Sequence, residues 1–268
     1  NFAGSYRKIC HIEYPHDPSV ARVIMSNGPV NMFDVTMMRA LDATIKEVDN
    51  NDKVQALVLS SAKPVFSAGL DLTSMYGASR EELTVFWSTF QELWVTRYGS
   101  RLATVVAIAG HAPAGGCSLS LSCDARILGS KSLIGLNEAA FGLVAPAWTV
   151  QMMMDVMGIR QGEKACSLGT IFDAKDALSL GLVDTVVDTE ENGAEAVLDC
   201  AHQEALDWAR IPGREASKRL IRSPIIHAYR AGEKEEDLAA LLKLVTSAKV
   251  QQQLGAYLES LKNKKKKG

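Results

Sequence analysis

Short apolar runs alternate with helical patterns along the first 190 residues, and this alternation limits the folds open to the chain. The runs have the length of buried strands, and apolar residues between them recur at helical spacing. Such an alternation predicts an α/β fold. The strand candidates are residues 21–25, 54–60, 104–108, 125–128 and 182–187.

Two helices of this region are indicated by their first residues. Asp34 is a favourable N-cap, and Met38 and Leu41 follow it on one face at helical spacing. Ser79 is expected to begin a second helix, because Glu82 in its first turn complements the helix dipole.

The pattern changes near residue 189, where strand candidates end and helical stretches follow one another. We therefore predict an α/β core over residues 1–190 and a C-terminal helical region over residues 191–268. The predicted helices of the second region are 194–209, 213–221, 233–245 and 249–262.

Composition excludes several classes of protein. The 268 residues, 47% of them hydrophobic, suffice for one sizeable core, and no apolar run has the length of a membrane-spanning helix. A net charge of −2 gives no general attraction to nucleic acid, and we interpret Lys264 to Lys267 as a solvated tail. The five scattered cysteines and the spacing of the histidines predict reduced thiols and no metal site.

Two segments rich in small residues each follow a predicted strand. They read VFSAGLDL at 65–72 and IAGHAPAGGC at 108–117. Small residues let the backbone approach a ligand closely, and free amides at a helix start stabilise a negative oxygen. Enolate formation needs such amides, because charge moves onto a thioester oxygen as a proton leaves the adjacent carbon.

Four ordered segments resemble the crotonase (enoyl-CoA hydratase/isomerase) superfamily, over about residues 8–260. They are FSAGLDL at 66–72, PAGGC at 113–117, CDARI at 123–127, and Asn137-Glu138 followed by Gly142-Leu143. The resemblance implies a spiral core of ββα units with a C-terminal helical trimerisation region, in a homotrimer or a hexamer. It also implies an acyl-CoA thioester substrate and no separate cofactor, because coenzyme A is part of the substrate.

The resemblance also implies roles for single residues. The backbone amides of Leu70 and Gly115 would form the oxyanion hole, and Ala68 would meet the adenine through its backbone. Asp71 is expected in addition to stabilise its own turn. The further substrate-binding positions that the resemblance implies are Gly69, Asp71, Leu72, Gly116, Phe141 and Trp148.

The carboxylates that the chain retains favour one reaction of the family. Hydratases of the family use two glutamates; Ser118 stands at the position of the first and Glu138 at the second. Dienoyl-CoA isomerases add an aspartate where this chain has Pro146. Moving a double bond from the 3,4 to the 2,3 position requires one carboxylate within reach of two carbons. We therefore predict Glu138 as the base and acid of a Δ3,Δ2-enoyl-CoA isomerase. The segments GLNE at 135–138 and APAW at 145–148 further resemble the mitochondrial subgroup of these isomerases.

Other interpretations remain open from the sequence. Thioester hydrolysis would use the same hole with Glu138 activating water, and a non-catalytic RNA-binding relative would need a basic face that the near-neutral charge disfavours. We expect a structural hydrogen bond for His111 and burial as a small apolar residue for Cys117. The subgroup resemblance favours the mitochondrial matrix over a peroxisome-like compartment.

Overall fold

The computed structural model describes residues 8–15 and 17–265. Their strands are β1 (Cys10–Glu13), β2 (Val20–Met25), β3 (Ala56–Ser61), β4 (Ala103–Ile108), β5 (Ala112–Pro113), β6 (Ala125–Gly129), β7 (Ile134–Gly135) and β8 (Thr185–Val187). Six of them form a sheet in the order β1-β2-β3-β4-β6-β8, and β5 pairs with β7 in a second, small sheet. Except for the antiparallel β1–β2 pair, neighbouring strands are parallel, which confirms the α/β class.

Helices connect the strands and then dominate the end of the chain. The helices of the described residues are α1 (Val35–Asp49), α2 (Arg80–Tyr98), α3 (Gly115–Leu121), α4 (Ala147–Met157), α5 (Ile159–Leu168), α6 (Ala174–Ser179), α7 (Thr189–Asn192), α8 (Glu195–Ala209), α9 (Arg214–Ala228), α10 (Lys234–Val245) and α11 (Ala248–Lys265). A C-terminal helical region is therefore present, as predicted.

The two helix starts predicted from capping residues are confirmed. The side chain of Asp34 accepts a hydrogen bond from the amide of Met37 at 2.7 Å. Ser79 and Glu82 form a reciprocal capping box, in which each side chain accepts from the other's backbone amide. Both caps satisfy amides that the first turn of a helix would otherwise leave unpaired.

The first helix of the predicted C-terminal region packs on the sheet. Val197, Ala201 and Ala205 of α8 are fully buried against small residues of β3 and β4, such as Val58 and Ala103. Helices α1 and α2 contribute to the main core, which includes the large apolar side chains of the molecule. The division of the chain at residue 190 stays a prediction.

The predicted end of one C-terminal helix was wrong. Helix α9 does not stop at residue 221 but continues through Pro224 to Ala228, and the segment Tyr229–Glu233, which is kinked at Gly232, joins it to α10. An ion pair between Lys218 of α9 and the buried Asp124 holds this helix on the core, with Nζ and Oδ2 2.8 Å apart. Sequence periodicity alone does not reveal such a tertiary anchor.

Among the described helices, none combines the length and the apolar composition that crossing a membrane requires. Helix α11 ends at Lys265, and residues 266–268 lie outside the described part of the chain. The interpretation of the lysine run as a solvated tail therefore stays a prediction.

Candidate active site

The site begins where the small sheet meets α3. The amide of Ala114 donates to the carbonyl of Gly135 at 2.8 Å, directly after the β5–β7 pair. Ala114 has φ +49° and ψ −121°, a conformation that costs a residue with a Cβ about 1–3 kcal/mol. The pairing of β5 with β7 and the hydrogen bond from Ala114 to Gly135 therefore maintain a strained backbone at Ala114, the residue directly before α3.

The two predicted oxyanion amides lie on loops that touch through their backbones. A Cβ added to Gly115 would lie 3.1 Å from the amide nitrogen of Leu70, and one added to Gly69 would lie 2.9 Å from that of Gly115. Gly69 also has φ +86°. Gly69 thus has no room for a side chain, and a Cβ at Gly115 would displace the neighbouring backbone by a few tenths of an ångström.

Both amides are available to a ligand. Asp71 donates to the carbonyl of Phe33, and Phe33 donates to that of Gly69, so the loop is held on either side of Leu70. Within residues 8–15 and 17–265, neither Leu70 nor Gly115 has an acceptor for its own amide. Two neighbouring free N–H groups are the arrangement that stabilises a developing oxyanion.

Glu138 is the first residue of a 3₁₀ turn, Glu138–Phe141, that follows β7. Its Oε2 atom is buried and has no hydrogen-bond partner in the described part of the chain. Burial raises the pKa of Glu138 to about 7, because the charged form loses hydration and no cation among the described residues compensates for the loss. A carboxyl group with this pKa accepts and returns protons near neutral pH.

A cavity of about 210 Å³ brings these groups together. Leu70, Gly115 and Glu138 all contribute to its wall, and the rest of the wall is mostly apolar. The other lining residues are Ala68, Leu72, Met75, Trp87, Phe90, Pro113, Ala114, Ser118, Asn137, Phe141, Leu143, Val144, Pro146, Leu241, Leu244, Val245 and Tyr257.

The C-terminal helices cover one side of the cavity. The ring of Tyr257 on α11 lies 4.5 Å from that of Phe141, measured between centroids. Gln251, on the same helix, accepts from the amide of Gly77 at 2.8 Å and donates to the carbonyl of Met75 at 3.1 Å. These contacts position α11 beside the loop that follows the Leu70 amide.

Most of the predicted site residues lie in the cavity wall, and four do not. Gly69 and Gly116 act through close backbone approach; a Cβ on Gly116 would lie 2.9 Å from the carbonyl oxygen of Ser67. Asp71 accepts hydrogen bonds from the amide and the hydroxyl of Thr73, at 3.0 and 2.7 Å, which confirms the predicted role in its turn.

Trp148, the fourth, lies behind the wall. Its indole stacks on Trp94 at 4.7 Å and packs against Phe90 at 5.3 Å, measured between ring centroids. The cavity touches Phe90 but not Trp148. Trp148 thus supports the apolar wall from outside, and direct contact of its side chain with a substrate stays a prediction.

Sequence reasoning missed the apolar residues that face Glu138 from distant helices. They are Trp87 and Phe90 of α2, Leu241, Leu244 and Val245 of α10, and Tyr257 of α11. Trp87 and Phe90 lie on the helix predicted to begin at Ser79, but helical periodicity does not tell which distant element such residues meet. Asn137 was also missed; its Oδ1 atom is buried without a partner among the described residues.

Other candidate residues have structural surroundings. His111 accepts through Nδ1 from the amide of Leu133 at 3.1 Å, as predicted. Cys117 is fully buried, which confirms its expected place, and burial raises the pKa of its thiol. The hydroxyl of Ser118 is hydrogen bonded to that of Thr149 at 2.9 Å. Across residues 8–15 and 17–265, no three His, Cys, Asp or Glu residues are grouped as metal ligands would be.

Comparisons with known proteins agree with this geometry. The profile of the enoyl-CoA hydratase/isomerase family matches residues 16–267. Mitochondrial enoyl-CoA delta isomerase 1 of Rattus norvegicus is 34% identical over 259 residues, which cover 95% of this chain and 88% of the rat protein. The Homo sapiens protein of that name is 34% identical over 267 residues, covering 98% of this chain and 86% of its own length.

Solved structures show the same likeness. The crystal structure of human mitochondrial delta3-delta2-enoyl-CoA isomerase superposes with a TM-score of 0.91 at 33% identity, covering 96% of this chain and 99% of the human one. An enoyl-CoA hydratase from Bacillus halodurans, with a TM-score of 0.81 and 20% identity, shares the fold over 92% of this chain and 99% of its own.

Proposed function

The chain belongs to the enoyl-CoA hydratase/isomerase family, the crotonase family that its motifs indicated, and we propose that it converts 3-enoyl-CoA into trans-2-enoyl-CoA. This isomerisation makes unsaturated fatty acids available to β-oxidation. The observation that supports the proposal most directly is the lone carboxyl of Glu138, with a pKa of about 7, in one apolar cavity with two free amides. The relatives named as enoyl-CoA isomerases support the same reaction.

The proposed reaction is one proton shuttle. The carboxylate of Glu138 removes a proton from C2, and the electron pair of the C–H bond moves toward the thioester carbonyl, whose oxygen becomes negative. The amides of Leu70 and Gly115 donate hydrogen bonds to that oxygen. The protonated Glu138 then delivers the proton to C4, the C3–C4 double bond becomes C2–C3, and the carboxylate is restored.

Several features of the cavity suit this shuttle. A pKa of about 7 lets Glu138 work in both directions, because neither protonation state is strongly favoured near neutral pH. The position where family hydratases carry their other glutamate is Ser118, whose hydroxyl is already hydrogen bonded to that of Thr149. With no second carboxyl there, proton transfer within one substrate is favoured over addition of water.

Each oxyanion donor has a definite energetic role. Loss of one preorganised oxyanion-hole donor costs about 2.7–4 kcal/mol of transition-state stabilisation in a hydrolase where it has been removed by mutation. Here the donors are backbone N–H groups, which no substitution other than proline removes. The protein therefore relies on the close approach of Gly69 and Gly115 to maintain them.

The same proposal covers the surroundings of the reaction. It needs no separate cofactor and no metal, because coenzyme A arrives as part of the substrate. We further propose a homotrimer or a hexamer, for which Leu220, Ile221 and Ile225 on the outer face of α9 offer exposed apolar surface. The names of the rat and human relatives support a mitochondrial location. Light scattering of the purified protein would test the oligomer.

The decisive experiment is a direct assay with trans-3-hexenoyl-CoA, in which the absorbance of conjugated 2-enoyl-CoA is followed. The wild-type protein should form the conjugated product, and Glu138→Gln should lose about 100-fold to 10,000-fold of kcat, the contribution typical of a general acid–base group. Glu163→Gln, on the exposed face of α5, is the matched control and should keep full activity.

Two outcomes would contradict the proposal. A Glu138→Gln variant that retains a tenth or more of the wild-type rate would exclude the shuttle. Release of free thiol without a conjugated product would instead indicate thioester hydrolysis. Parallel reactions that start from 2-enoyl-CoA detect hydration.

A further inference from the structure

A second cavity, of about 480 Å³, lies next to the catalytic cavity. Helices α2 and α10 each contribute residues to both cavities, and on each helix these residues lie one turn apart. Helix α2 provides Phe90 to the catalytic cavity and Trp94 to the second, and α10 provides Leu241 and Asp237 in the same way. The second cavity therefore continues the groove between α2 and α10 in which the catalytic cavity lies.

Two aromatic rings separate the cavities. Phe90 lines the catalytic cavity, Trp148 lines the second one, and their ring centroids are 5.3 Å apart. Trp148 is also stacked on Trp94 at 4.7 Å. These separations are those of rings in direct contact, so no acyl chain passes between them. We call the pair Phe90–Trp148 the aromatic partition.

The tryptophans around the partition are held in different ways. The indole Nε1 of Trp87 donates to the carboxylate of Asp237 at 2.7 Å, and the amide of Gln91 donates to the same oxygen at 2.7 Å. The indole Nε1 of Trp148 is buried without a hydrogen-bond partner among the described residues. Packing alone therefore holds Trp148, and a smaller apolar residue there breaks no hydrogen bond.

We propose that the aromatic partition sets the upper limit of acyl-chain length and restricts the protein to short and medium chains. The inference rests on the proposed function, which places the thioester at Leu70 and Gly115. The catalytic cavity, at about 210 Å³, is smaller than the roughly 300–1,000 Å³ of typical small-molecule sites. A chain that passed the partition would gain the apolar side chains of the second cavity, such as Trp94, Met152 and Ile225. The polar residues of its wall are Gln151, Asp155, Glu233 and Asp237.

The test compares two partition variants with a control from the same helix. Trp148→Leu and Phe90→Leu open the partition, whereas Phe86→Leu changes an equally buried ring of α2 that lines neither cavity. Calorimetry gives the Kd of each protein for saturated hexanoyl-CoA and dodecanoyl-CoA. Turnover is measured with 3-hexenoyl-CoA and 3-dodecenoyl-CoA.

The readout is the preference for the longer chain over the shorter one, in binding and in kcat/KM. We expect this ratio to rise about tenfold or more in both partition variants, since one methylene gained in an apolar pocket is worth about tenfold. The ratio should not change in Phe86→Leu. General loss of stability would lower both values and leave their ratio unchanged.

A second change should reverse the effect. Ala228 at the end of α9 lines the second cavity, so Ala228→Phe, added to Trp148→Leu, should fill the newly opened space and return the ratio to its wild-type value. An unchanged ratio in Trp148→Leu and Phe90→Leu, or a wild-type protein that already prefers the twelve-carbon chain, overturns the partition.

The two proposals fail in distinguishable ways. If no 3-enoyl-CoA is isomerised but the binding ratio shifts as expected, the proposed function is wrong and the partition is supported. If isomerisation proceeds and the ratio does not shift, the partition alone is wrong.

Discussion

Glu138 and Asp124 are shielded carboxyl groups in opposite surroundings. Burial raises the pKa of Glu138 to about 7, and no cation pairs with it within the described part of the chain. Burial acts in the same direction on Asp124, but the charges of Lys218 and Arg222 outweigh it and lower the pKa. The same burial thus yields a group ready to exchange protons in one place and a permanent anion in the other.

The second carboxyl connects distant parts of the chain. Asp124 binds Lys218 at 2.8 Å and Arg222 at 2.7 Å, both on α9, and accepts from the amide of Thr104 in β4 at 2.8 Å. Lys218 also donates to the carbonyl of Leu102. Removing one partner of such a buried pair leaves an uncompensated charge and is strongly destabilising, whereas a buried carboxylate that is already unpaired costs stability and is expected at a functional site.

The largest effect on stability is expected when the paired carboxylate is neutralised. Asp124→Asn leaves two buried cations without their anion and should lower the free energy of unfolding by about 3–5 kcal/mol. Urea unfolding measures it, with the exposed Asp207→Asn as the control, which should change it by less than about 1 kcal/mol. If Asp124→Asn lowers the free energy of unfolding as little as Asp207→Asn does, the ion pairs of Asp124 do not contribute to stability in the way that we infer.

Neutralising the unpaired carboxyl of Glu138 should change the free energy of unfolding in the opposite direction. A pKa raised from 4.5 to about 7 corresponds to about 3 kcal/mol. Between these values the folded protein binds more protons at Glu138 than the unfolded chain does, so this contribution to stability falls as pH rises. The stability of the wild type relative to Glu138→Gln should therefore decrease by about 3 kcal/mol from about pH 4.5 to about pH 8. A pH-independent difference would contradict the raised pKa.

A smaller effect is expected in the rate. The base must be deprotonated to take the C2 proton, so kcat/KM should be constant above about pH 7 and fall about tenfold for each pH unit well below it. The pH profile with 3-hexenoyl-CoA measures this. A midpoint near the ordinary glutamate value of 4.5 would mean that Glu138 is hydrated in the working enzyme.

Much of the fold was predictable because its signals are local. The five strand candidates correspond to β2, β3, β4, β6 and β8, and Asp34 and Ser79 begin helices as predicted. The course of α9 was not predictable in this way. This helix continues through Pro224 and is held on the core by contacts such as the Lys218–Asp124 ion pair. Such contacts join residues far apart in sequence, so local patterns do not reveal them.

The site, like the fold, has parts that local sequence signals predict and parts that depend on tertiary contacts. Leu70, Gly115 and Glu138 could be proposed because the short motifs that contain them resemble those of the crotonase family, and the glycines in these motifs do make the close backbone approach. The apolar part of the cavity wall, to which Trp87 and Tyr257 contribute, could not be predicted. Many apolar residues fill a helix face equally well, so the sequence of that face does not show which distant element packs against it. Trp148 illustrates the point, since only the structure shows that it packs one ring behind the wall, and its contact with a substrate stays a prediction.

The amino-acid sequence by itself determined the α/β class, the family, the glycine-built amide pair and the single carboxyl at Glu138. Only the tertiary structure decided that this carboxyl is unpaired while Asp124 is paired, and that Phe90 and Trp148 divide one groove into two cavities. The physical reason is that backbone conformation depends on neighbouring residues, whereas burial, charge pairing and cavity shape depend on which distant side chains the fold brings together.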